Sequence, residues 1–68
     1  MIEVTRLNGD SILINPDLIE LIEETPDTVI TLTNGKKYVV SETGTKITEL
    51  IITYRRKIYT NLYNKIER

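Results

Sequence analysis

The sequence predicts an α+β fold: a small, strongly twisted antiparallel β-sheet of four or five strands, partly barrel-like, followed by a C-terminal α-helix. Three observations carry this. Short apolar or alternating runs separated by Asn-Gly turns fill residues 1–40. Pro16 and Pro26 punctuate that half and forbid a continuous helix or central strand through it. From Ile47 onward apolar residues recur every three to four positions, the period of one helical face.

Residues 2–7 (IEVTRL) alternate, with Ile2 and Val4 on one face and Glu3 and Thr5 on the other. Asn8-Gly9-Asp10 supplies the tight turn and Ser11–Ile14 (SILI) the return strand, so 2–14 reads as a β-hairpin. Asn15-Pro16-Asp17 ends it. The next stretch, Leu18–Glu24 (LIELIEE), suits either a short amphipathic helix or a strand; a turn and then a strand at 20–24 fits best, because the strand at 28–33 pairs naturally with it. Thr25-Pro26-Asp27 is a turn. Thr28–Thr33 (TVITLT) is the best strand, β-branched at every position but Leu32. Asn34-Gly35 then returns the chain into Lys36–Val40 (KKYVV).

Ser41, Thr43 or Thr45 can cap a helix spanning 45–66. Ile47, Leu50, Ile51, Tyr54, Ile58, Leu62 and Ile66 form its apolar face. Many of its residues are β-branched and weak helix formers, so this helix depends on packing. A helix of about 21 residues is about 31 Å long, and strands of about 17 Å cannot cover it. Tyr59, Leu62, Tyr63 and Ile66 are expected to overhang, with Ile52 off the main face. The expected core is Val4, Ile12, Ile14, Ile22, Ile30, Leu32, Tyr38, Val40, Ile47, Leu50, Ile51 and Tyr54, with Ile58 on the same helical face.

At 68 residues the chain is one domain, 1–68, with a marginal core. It has no Cys and no His. That removes disulfides, thiolate metal sites and the commonest metal ligand and general base. No signal peptide or membrane span is read, so a cytoplasmic protein is expected. Residues 1–40 carry seven acids against three bases, net −4, and residues 41–68 six bases against three acids, net +3. Opposite charge on the two halves marks attraction within or between chains, or a partner surface.

No set of residues reads as catalytic, cofactor-binding or metal-binding. Ser11 and Ser41 are the only serines and no histidine exists to activate them. Glu20, Glu23, Glu24 and Asp27 read as a solvated acidic face, since acid–base work needs burial that separates two pKa values. Arg55-Arg56-Lys57 raises nucleic-acid binding, but the basic run is short and the pI is about 5.3. Arg55, Arg56, Tyr59 and Tyr63 are the candidates for partner contact, because Tyr is apolar with a polar tip and the tyrosines fall in the overhang.

MIEVTRLNG, the block NPDLIELIEETPDTVITLTNGKKYVV and the later YRRKI together resemble the flagellar FlbD family, small proteins of Firmicutes-like flagellar operons called SwrD in some Gram-positive bacteria. The likeness is close over 1–40 and again at 54–58. It departs at 41–53, where SETGTKITELIIT places Gly44 where a helix former is expected. The resemblance implies a non-enzymatic cytoplasmic protein that supports flagellar motor power by contact with motor or stator proteins. It names no cofactor and no catalytic residues. Surplus apolar helix surface adds the expectation of a homo-oligomer through the C-terminal helix, with room for peripheral contact with the cytoplasmic face of the membrane. The alternative expectation, from another class, is a small nucleic-acid-binding regulator.

Overall fold

A computed structural model describes the backbone of residues 1–66 and the side chains of residues 1–60. Strands β1 (Ile2–Thr5) and β2 (Ser11–Ile14) form an antiparallel hairpin. Strands β3 (Ile19–Glu23), β4 (Thr28–Leu32) and β5 (Lys37–Val40) form a three-stranded antiparallel sheet in that order. Helix α1 (Gly44–Ile66) comes last. The α+β class and five strands agree with the sequence, but the strands make two sheets and no closed barrel. The ends of β1 and β5 are joined by an Arg6–Val40 bridge and by Ser41, whose N–H donates to the Thr5 carbonyl at 2.8 Å. Between β2 and β3 the chain makes a 3₁₀ turn at Pro16–Leu18, capped by the Asn15 side chain, which accepts from the Asp17 N–H. Pro16 has no N–H to contribute to a ladder there.

The two Asn-Gly turns are built alike. Gly9 N–H donates to the Arg6 carbonyl and Arg6 N–H to Asp10; Gly35 and Leu32 repeat the pattern with Leu32 and Lys36. Only the glycines have positive φ, 94° and 88°. Each asparagine instead accepts from the N–H two residues on, at 3.0 Å. These are three-residue loops with glycine in the left-handed position, not two-residue turns with both central residues left-handed. The Thr25–Pro26 peptide is cis.

Register sets the core. Ile2 faces Ile14 and Val4 faces Ile12 across one hairpin, while Ile22, Ile30 and Tyr38 line up across the other sheet. An irregularity between Ile19 and Leu21 returns both Ile19 and Ile22 to the core side. All twelve residues expected in the core belong to it, joined by Ile2 and Ile19. Ile58 does not belong: it is exposed, because the sheets end before α1 does.

Helix α1 closes the core with Ile47, fully buried, and with Leu50, Ile51 and Tyr54 packed around it. Of the three candidate caps, Thr43 fills the role: its hydroxyl accepts from the Lys46 N–H at 3.1 Å and its carbonyl takes the first helical bond, from Ile47. Gly44 begins the helix at the position where a better helix former is expected. A Cβ there would sit 2.8 Å from the Glu24 carboxyl carbon, so a larger residue would have to displace that side chain.

The Glu42 carboxylate holds helix and sheet together. Both its oxygens accept from the Thr5 N–H, at 2.8 and 3.1 Å. Burial pushes its pKa up, but hydrogen bonds from Thr5 and from its own backbone, with Lys46 nearby, outweigh burial and hold it below the ordinary carboxylate range. The bond therefore stabilises the fold above the ordinary carboxylate pKa and is lost as pH falls through the lowered value. Glu42→Gln is expected to cost about 1–2 kcal/mol at neutral pH. The difference from wild type should shrink as pH falls through the lowered pKa of Glu42, where its carboxylate takes up a proton and both side chains become neutral; urea unfolding across a descending pH series tests this. On the outer face of β4, the Thr31 hydroxyl is buried without a partner. Thr31→Val removes that group and should leave thermal stability unchanged or raise it by about 1 kcal/mol; a clear drop in Tm would show that the hydroxyl is satisfied.

Candidate functional site

The chain's unusual feature is the second half of α1. The helix has 23 residues, about 34 Å at 1.5 Å per residue. Its core contacts end at Tyr54, and Arg55–Thr60 are all exposed. The molecule measures 47 × 22 × 19 Å with a radius of gyration of 13.7 Å; a compact chain of this length would have about 11 Å.

Of the residues expected to contact a partner, Arg55 is engaged within the chain. Its guanidinium lies 3.1 Å from the Asp17 carboxylate, with both side chains more than half exposed. Such a pair contributes little stability but fixes the side of the helix that faces the 3₁₀ turn. Arg56 and Lys57 are exposed and in no ion pair among the described residues. Tyr59 is 71% exposed, the most open large apolar side chain described. Tyr63 lies outside the residues whose side chains are described.

A second apolar surface emerges only in the folded chain. Met1, Leu13 and Leu18 are exposed around an open groove of about 480 Å³ floored by Ile14, Leu32 and Tyr38. Alternation places Leu13 on the solvent side of β2, and Leu18 falls in the segment read as a turn ahead of the strand at 20–24. Two solvent-facing leucines are the sequence signal for this surface, and only folding brings them together. The groove lies beside the exit of α1. Met1 also lines the hollow formed with Leu50, Tyr54 and Lys57, and Asp17, bonded to Arg55, precedes Leu18.

Residues suited to chemistry are spent on structure or stand apart. The Ser11 hydroxyl donates to Glu3 and the Ser41 hydroxyl to the Thr5 carbonyl. Glu20, Glu23, Glu24 and Asp27 are exposed. Glu42, whose pKa is lowered, is committed to Thr5. Among the described residues there is no cluster of three metal-ligating side chains, and no helix is long and apolar enough to cross a membrane.

The fold is a small α+β body with a projecting helix, and residues 1–59 fit the model of a family described as flagellar and swarming motility proteins. The chain belongs to that family, FlbD. The matched region takes in the whole body, Arg55, Arg56 and Tyr59, and stops short of Tyr63. No curated protein and no solved structure matches the chain.

Because Ile58 and Tyr59 are exposed and lie outside the buried core cluster, Ile58→Ala and Tyr59→Ala should each change stability by less than about 0.5 kcal/mol. Ile47→Ala should cost about 2–5 kcal/mol. Thermal unfolding of the three variants separates the helix that closes the core from the helix that projects.

Proposed function

We propose that this protein supports flagellar motor power without catalysis, by docking on a motor or stator component through the outward face of α1 around Arg56, Lys57 and Tyr59. The carrying observation is a basic, tyrosine-bearing stretch of helix that its own sheets do not cover. Membership of a flagellar and swarming motility family supports the setting. Tyr and Arg are the residue types that concentrate binding energy at protein interfaces. An exposed cationic run attracts an acidic partner and speeds encounter with it. The protein works in the cytoplasm, and the same basic face suits a position against the anionic inner surface of the membrane, where the motor sits.

The test is a chromosomal deletion complemented by wild type or by Arg56→Glu with Tyr59→Ala, scoring filament number and the torque of tethered cells together. Normal filament number with torque lowered in the deletion and in the double variant is the expected result. Missing filaments in the deletion would make the protein an assembly factor. Full torque from the double variant, at wild-type protein level, would remove this face of the helix from the contact.

A further inference from the structure

We infer that the protein is a two-fold homodimer in which the projecting half of α1 from each copy lies across the Met1–Leu13–Leu18 groove of the other. Four observations converge on a second copy as the occupant.

The first is surface. The chain exposes 5149 Å², whereas a compact monomer of 7.9 kDa exposes about 4,400 Å². The excess, about 700 Å², is close to the ~800 Å² that each partner buries in a standard interface. The second is charge. Gly44–Ile66 carry five bases against one acid, net +4, and residues 1–40 carry net −4. Four of the five bases, Arg55, Arg56, Lys57 and Lys65, lie past Tyr54, where core contact ends. Among the described residues only Arg55 reaches back to an acid of its own chain. A second acidic body of the same chain balances the remainder.

The third is length. The projecting stretch, residues 55–66, is about 18 Å long, and the molecule is 22 × 19 Å across, so one overhang spans one body. The fourth is placement. Groove and overhang are neighbours on one protomer, joined through Met1 and the Asp17–Arg55 pair. A single two-fold axis beside them brings each helix onto the opposite groove at once and closes the assembly. Ile58 continues the row Ile47, Ile51, Tyr54 that faces the sheets within the chain. In the dimer it meets Leu13 and Leu18 of the second copy, and Arg56 stays on the outer side.

The chain has no cysteine, which makes the test clean. Full-length Leu18→Cys and Ile58→Cys are purified separately, mixed and oxidised. A covalent dimer that forms in the mixture and exceeds that from either protein alone is expected. Sedimentation of the untagged protein from about 1 to 200 µM should give twice the monomer mass. Ile58→Glu and, independently, Leu13→Glu should halve that mass with circular dichroism unchanged, and Arg56→Glu should leave it doubled. Monomer mass throughout the series overturns the proposal. So does a crosslink confined to Ile58→Cys with itself, which would mean helix-to-helix pairing and an empty groove. The inference stands apart from the motor contact: a dimeric Arg56→Glu protein that loses torque would fail neither, and a monomeric wild type that keeps torque would fail the dimer alone.

Discussion

The fold depends on the docking of the first three turns of α1 against two sheets too small to hold each other. Each strand is four or five residues long, and the sheets meet along only one short edge. The two-stranded hairpin would be marginal at best alone in water. Ile47 enters the gap between them, and the Glu42 carboxylate fastens the approach to the helix onto the end of β1. A chain of 68 residues has about 3–10 kcal/mol of stability in total. One buried isoleucine is worth about 2–5 kcal/mol of that. Helix docking and folding are therefore one event, and everything beyond Tyr54 is carried on a platform that already exists.

That division accounts for what the sequence disclosed and what it withheld. Alternation, β-branched runs and turn glycines are local signals, and they located β1, β2, β4 and β5; β3 was placed only by the pairing it offers the strand at 28–33, and its Ile19 was not among the expected core residues. The period of α1 gave the direction of its apolar row but not what lay opposite each residue. Ile58 satisfies the same spacing as Tyr54, yet the sheet has ended beneath it. The Glu42–Thr5 bond joins residues 37 apart and no local pattern announces it. The same holds for Asp17 with Arg55 and for the groove, whose walls come from the N-terminus, β2 and the 3₁₀ turn. Closing the strands into a barrel would have needed pairing between β2 and β3, which fall in different sheets, and pairing is a tertiary fact that no local pattern announces.

Gly44 shows the same tension within one residue. Helix propensity argues against glycine in a first turn, and by that measure the start of α1 is poorly written. The folded chain brings the Glu24 carboxyl group against that point. That group is the far end of an exposed, flexible side chain that can swing aside, so the contact alone does not demand glycine. Thr43 supplies the missing local definition as a cap, so the boundary is set by one hydroxyl rather than by propensity.

The far end of α1 poses the reverse problem. A helix needed only to close the core would have finished its work at Tyr54. Beyond that point run a dozen more residues, rich in β-branched, aromatic and asparagine side chains, and isolated helices under about 12–15 residues are marginal in water even when rich in alanine. Continuity with a docked helix removes the nucleation cost, but it does not cover Ile58 and Tyr59. Contact with another surface does more: it buries those side chains and brings the helix's cluster of bases to an acidic face. The two contacts we propose supply such surfaces: a second copy's groove for the row containing Ile58 and a motor protein for the side bearing Arg56. Ile58 and Arg56 lie on different sides of one helix, so a single short projection could hold the proposed dimer together and still present a basic face to a motor partner.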